Sequence, residues 1–167
     1  DEVKAGFVTM VAANYLKPKE SPDAWVIEVV STMKTGDCDK LEKLLTSFFA
    51  SIPYSQRRKD DEREKERYFQ YTFYLVIRMI SCFTVLIEKE QSEGRVDCIV
   101  ETPMFVYIFE FKRDGSASEA LKQIEEKGYA REYATDNRMI YQIGCNFSSK
   151  TGTIDDWKSK ASSNSLT

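Results

Sequence analysis

VDCIVETPMFVYIFEFK, residues 96–112, places two apolar runs on either side of Thr102-Pro103-Met104. The composition and the proline-containing break predict two strands, Arg95–Glu101 and Phe105–Lys112, folded into a hairpin. Asp97 enters the first strand, and Glu110 and Lys112 leave the second. Side chains two apart in a strand share a face, so Glu110 and Lys112 point one way and Phe109 and Phe111 the other. With the turn at 102–104, pairing brings position 97 near position 110. Two carboxylates and an ammonium then converge beside the sheet. Ionised groups in a sheet interior cost several kcal/mol unless compensated. An ion pair with Lys112 neutralises one acid and leaves the other alone. A hard divalent cation such as Mg²⁺ satisfies both, because it binds through one or two carboxylates. The spacing alone admits an inert ion pair and a metal site equally.

The flanking sequence extends this hairpin in both directions. Thr84 to Lys89 alternates as a further strand, closed by the turn signal Ser92-Glu93-Gly94. Upstream, a helix over about 62–81 carries Phe69, Phe73, Val76 and Ile80 as its core stripe. Downstream, Ser116-Ala-Ser-Glu119 is a capping box that opens a helix to about Tyr133. Thr135-Asp136-Asn137 turns into a last strand, Met139–Cys145. The order is α-β-β-β-α-β, which predicts an α/β domain with a mixed sheet flanked by helices. Before it lie three helices. Residues 1–17 form the first, Ser21-Pro22-Asp23 opens the second, and Asp37 caps the third, with Leu41, Leu44, Leu45, Phe48 and Phe49 as its apolar stripe. The expected division is a helical connector over 1–55, the α/β domain over 56–158 and a flexible polar tail over 159–167. Asp1 stands where an initiator Met would, and the chain is expected to be a piece of a longer protein.

The totals narrow the chemistry. The chain has no histidine. That removes Ser-His-Asp and Cys-His catalysis, His-bearing zinc sites and a His general base. Hydrolysis here falls to carboxylates, lysine, tyrosine or a hard metal ion. The formal net charge of −3 argues against a generic nucleic-acid coating protein but leaves room for a carboxylate-bearing nuclease. Cys38, Cys82, Cys98 and Cys145 have no close spacing, so reduced thiols and a cytoplasmic setting are expected. No apolar run is long enough to span a membrane, and no phosphate-binding GxxxxGK[ST] loop occurs.

Asp97, then Glu110-Phe-Lys112, resembles the Asp…Glu-x-Lys signature of the PD-(D/E)XK nuclease superfamily. The resemblance extends through IPY (52–54), ERYFQ (66–70), GRVD (94–97), VETPMFVYIFEFK (100–112), ALKQIEEKGYA (120–130), IGCNFSS (143–149) and TIDDW (153–157). In that order these resemble the C-terminal nuclease-like domain of a bacterial family, common in gut Bacteroidetes, in which it follows an AAA-ATPase-like domain. The resemblance implies a restriction-endonuclease-like core and a nuclease dependent on Mg²⁺ or Mn²⁺. The substrate class it implies is DNA, with RNA second, and the partner an upstream AAA-ATPase-like domain of the same polypeptide. Asp97, Glu110, the Phe111 backbone carbonyl and Glu66 would hold metal. Lys112 would orient or help deprotonate the attacking water and stabilise developing phosphorane charge. Gln123 matches a glutamine that related nucleases carry on the following helix. A subgroup of them places a tyrosine four residues on; here that position is Lys127, and Tyr129 comes later. Val96 replaces the usual proline before the aspartate. The alternative is a non-catalytic module of the same fold, binding nucleic acid or a partner under control of the upstream ATPase domain. Arg95 and Arg113 flank the motif, either as phosphate contacts or as surface counter-ions.

Overall fold

The computed structural model describes residues 22–51, 72–78 and 83–163. They group into two compact units. One holds the helices before Phe83 together with 149–153, and the other holds 83–148 and 154–163. The expected boundary at 55/56 and the first helix lie outside the described residues.

In the first unit, α1 (Pro22–Thr35) and α2 (Cys38–Ser51) are joined at Gly36-Asp37. Asp37 caps α2: its Oδ1 accepts from the Lys40 N–H at 3.0 Å. The α2 stripe is buried at Leu41, Leu45, Phe48 and Phe49. Phe48 stacks on Trp25 at 4.9 Å between ring centroids, and Phe49 stacks on Phe73 at 6.3 Å. Phe73 belongs to a helical segment over 72–78, called α3 here.

The second unit is a five-stranded mixed sheet in the order β1-β2-β3-β4-β5, with β1 Thr84–Gln91, β2 Gly94–Glu101, β3 Phe105–Arg113, β4 Met139–Ser148 and β5 Thr153–Ser163. The first three strands form an antiparallel meander, and β4 returns parallel to β3. A parallel return needs a crossover, and α4 (Ala117–Glu126) supplies it. Ile99 and Ile108 of the meander pack with Val106, Ile140, Ile124 of α4, Tyr129 and Tyr133 in one buried cluster. Burying each such side chain stabilises the fold by about 1.5–3 kcal/mol. The opposite face of β3 is an aromatic ladder in which Tyr107, Phe109 and Phe111 stack in succession.

The chain departs from expectation in two places. Helix α4 stops at Glu126 rather than near Tyr133, because Gly128 takes a left-handed φ of 63° and Arg131–Tyr133 continues as a separate 3₁₀ turn. The expected flexible tail from 159 is strand through Ser163, in β5. No helix among the described residues is long and apolar enough to cross a membrane.

Candidate active site

The hairpin register decides the site. Cys98 pairs with Phe109 and Ile99 with Ile108, so one further step along the ladder sets Asp97 opposite Glu110. Residues directly opposite share a face. Glu110 in turn sits beside Gly144 and Lys112 beside Asn146 in the parallel ladder, on the face that α4 covers.

The Asp97 side chain takes over where the β2–β3 ladder ends, and its Oδ2 accepts from the Phe111 N–H at 2.9 Å. In an extended strand the N–H and C=O of one residue leave on the same side. The Phe111 carbonyl therefore faces the Asp97 side of β3. Glu110 is 3% exposed, and its Oε2 is buried with no hydrogen-bond partner. Its Oε1 accepts from the Gln123 amide N–H. The Gln123 amide oxygen accepts from the Lys112 ammonium at 2.5 Å. Among the described residues, Lys112 forms no direct ion pair with either acid. Gln123 stands between them as a bridge.

The electrostatics follow from this packing. Burial, then the neighbouring Asp97 charge, pushes Glu110 up to about 8, against the pull of Lys112. Burial pushes Asp97 up to about 6, against the Phe111 N–H, Lys112 and Arg95. Glu88 adds to the rise of Asp97 from across the sheet. It lies between the β1–β2 pairs Ile87↔Cys98 and Lys89↔Val96, opposite Asp97, with a left-handed φ of 48°. A non-glycine residue there is strained, and such strain concentrates at functional sites. Strand alternation gives no sign of it.

The structure thus brings Asp97, Glu110, Phe111, Lys112 and Gln123 together, whereas Glu66 lies outside the described residues. Tyr129 is buried, and its hydroxyl donates to the Arg95 carbonyl at 2.8 Å, which ties the start of β2 to the segment after α4. Arg95 is exposed and 3.8 Å from Glu88, and Arg113 lies 4.0 Å from Asp114. Cys38, Cys98 and Cys145 are buried. No group of three or more His, Cys, Asp or Glu side chains positioned to hold a metal occurs among the described residues. Three residues that sequence reasoning left without a role border the site. Gly144 lies under α4, Asn146 accepts from the Gly115 N–H at 2.9 Å, and Asp156 accepts from the Ala117 N–H at 2.8 Å. The Asp155-Asp156 pair between Ile154 and Trp157 was the available signal, since acids flanked by buried apolar residues call for partners.

Comparison with known proteins agrees with this geometry. The family model of the PD-(D/E)XK nuclease superfamily matches residues 64–157, more than half of the chain. A relative from Azotobacter chroococcum mcd 1, described as "Uncharacterized protein in vnfD 5'region", is 31% identical over 155 residues. That alignment takes in 92% of this chain and 30% of the relative's own length. With its mixed five-stranded sheet and flanking helix, and its Asp…Glu-x-Lys residues on paired strands, the chain belongs to the PD-(D/E)XK nuclease superfamily.

Proposed function

We propose that this domain is a nuclease that hydrolyses phosphodiester bonds of DNA, with RNA as the second substrate class, using Mg²⁺ or Mn²⁺ held by Asp97 and Glu110. The observation that carries the reading is the buried Glu110 carboxylate, with an oxygen that has no partner, set opposite a second carboxylate. Two such acids repel unless one is protonated or a cation lies between them. The donor set is all oxygen, which suits a hard cation that keeps several of its waters. The Phe111 carbonyl is the natural third protein oxygen, and Glu66, outside the described residues, is a further candidate. When bound, the cation supplies Lewis-acid polarisation of the phosphate and an acidified water.

The chain's own residues do the rest. Lys112 presents an ammonium beside the two acids, where it orients the attacking water and stabilises negative charge developing on the phosphate. Gln123 keeps that ammonium from collapsing onto Glu110. By donating to one Glu110 oxygen, it leaves the other to face the centre. The surrounding apolar cluster limits water and strengthens each of these interactions.

The upstream partner we propose is an AAA-ATPase-like domain of the same polypeptide. The match of this chain to under a third of a longer relative is in keeping with that. The second reading is a non-catalytic module for nucleic-acid or partner binding, and the net charge of −3 favours its partner-binding form. The test is cleavage of single-stranded DNA, duplex DNA and RNA in Mg²⁺ or Mn²⁺ by wild type, Asp97→Ala and Lys112→Met. Cleavage by wild type alone supports the nuclease. Equal behaviour of all three, or an inert wild type both with and without the upstream domain, supports the binding module.

A further inference from the structure

Gln123 works only if α4 holds it at the right height above β3. It makes two hydrogen bonds to groups on that strand, and α4 is anchored six residues earlier, at Ala117. Six residues of helix are a lever of about 9 Å. A swing of about 10° in the axis then moves Gln123 by roughly 1.5 Å, enough to break hydrogen bonds whose useful range ends near about 3.2 Å. The anchoring of α4 therefore bears directly on the catalytic centre.

Three features fix that anchor, and two of them come from β4 and β5. Ser116 caps α4 locally, its Oγ accepting from the Glu119 N–H at 3.2 Å. Asp156 of β5 accepts from the next orphan donor, the Ala117 N–H, at 2.8 Å. Asn146 of β4, itself 3% exposed, straps the preceding loop. Its Oδ1 accepts from the Gly115 N–H at 2.9 Å, and its amide donates to Asp155 Oδ1 at 2.8 Å. Below them α4 rests directly on Gly144. A Cβ at that position would lie 2.2 Å from the Ala117 carbonyl oxygen and 3.0 Å from the Ala120 Cβ. Relieving that overlap requires α4 to retreat by about 1 Å. Gly144 is the neighbour of Glu110 in the β3–β4 ladder, so the seat lies beside the residue that Gln123 must reach.

We infer that Asp156 is a positioning residue for the catalytic centre, acting through α4 on Gln123, with Gly144 as the seat and the Asn146–Asp155 pair as a secondary strap. The inference rests on the nuclease reading for its catalytic meaning, but the placement of Gln123 is measurable without it. An ordinary helix cap would stabilise α4 and leave Gln123 where it is. A positioning residue sets the Gln123 amide itself.

The experiment follows the Gln123 side-chain amide by ¹⁵N–¹H NMR in the metal-free full chain, assigned by its loss in Gln123→Leu. Plasmid DNA cleavage in Mn²⁺ is measured in parallel. In wild type the amide protons are expected to be shifted from free-glutamine positions and to exchange slowly. Asp156→Ala is expected to return them toward free positions and to lower kcat roughly 10- to 100-fold with KM little changed. Asp156→Asn, which keeps an acceptor oxygen, is expected to restore both. Asp155 is exposed, so Asp155→Ala provides a variant that folds even if Asp156→Ala does not, with a smaller shift in the same direction. An unmoved Gln123 amide in Asp156→Ala, or in Asp155→Ala where the former fails to fold, overturns the inference. A displaced amide in a protein that cleaves nothing upholds the positioning and counts against the nuclease.

Discussion

Replacing Glu110 by glutamine should stabilise the metal-free protein at mildly alkaline pH. Glu110 is buried, its Oε2 has no partner, and its folded value lies near 8 against an ordinary 4.5. A carboxyl raised in this way holds its proton in the native state and gives it up when unfolded. Its contribution to stability is therefore complete below the unfolded value and is lost as pH rises through the folded one. The slope approaches about 1.4 kcal/mol per pH unit in that window. From about pH 5.5 to pH 8 the loss is roughly 3 kcal/mol, or about 6–12 °C in Tm for a chain of this size. The substituted amide keeps an acceptor oxygen for the Gln123 N–H and carries no charge to desolvate. Thermal melts in EDTA across this range should show a wild type that softens as pH rises and a Glu110→Gln variant that softens much less. Asp97→Asn removes the neighbouring charge and should move the wild-type midpoint to lower pH. Saturating Mn²⁺ should reverse the wild-type slope, since bound cation favours both ionised acids. A wild type with no slope relative to Glu110→Gln, or a variant less stable at pH 8 without metal, refutes the reasoning.

Lys112→Met should lower the cleavage rate roughly 100- to 1,000-fold while leaving calorimetric Mn²⁺ binding intact, because its ammonium stabilises charge without holding metal. Ser116→Ala removes the Oγ that accepts from the Glu119 N–H and should cost about 1 kcal/mol in urea unfolding. Gly128→Ala forces a side chain into a left-handed conformation and should destabilise by about 1 kcal/mol or more by the same measurement. A Cβ there would also meet the Arg131 side chain at 2.6 Å.

Much of the sheet was legible because its signals are local. Thr102-Pro103-Met104 fixes the turn, the turn fixes the register, and the register sets Asp97 opposite Glu110. Ser116 and Asp37 announce their helices for the same reason, since a capping oxygen acts within three residues. Sequence and structure part where distant packing decides. Ile124, Tyr129 and Tyr133 keep an apolar spacing that suggests one helix, yet they reach the same core through a glycine turn and a 3₁₀ segment. The second half of β5 reads as a tail because beyond Trp157 it is mostly polar and exposed. It qualifies as a strand through pairing with β4, which periodicity cannot see.

The candidate site was legible in part. Asp97, Glu110 and Lys112 follow from period two and a turn. Gln123 can be named from the family pattern, but its bridging position between Glu110 and Lys112 depends on how closely α4 approaches β4. That approach depends on Gly144, whose importance lies in the side chain it lacks. The left-handed Glu88 opposite Asp97 leaves no trace in an otherwise ordinary strand.

The most direct test is a crystal of the full chain soaked in Mn²⁺, with anomalous density measured around the hairpin. The expected result is a peak between Asp97 and Glu110, at about 2.1 Å from an oxygen of each, absent in Asp97→Ala. Refined carboxylates with no peak between them, at Mn²⁺ concentrations that support cleavage, would contradict a metal-dependent centre on this pair of strands.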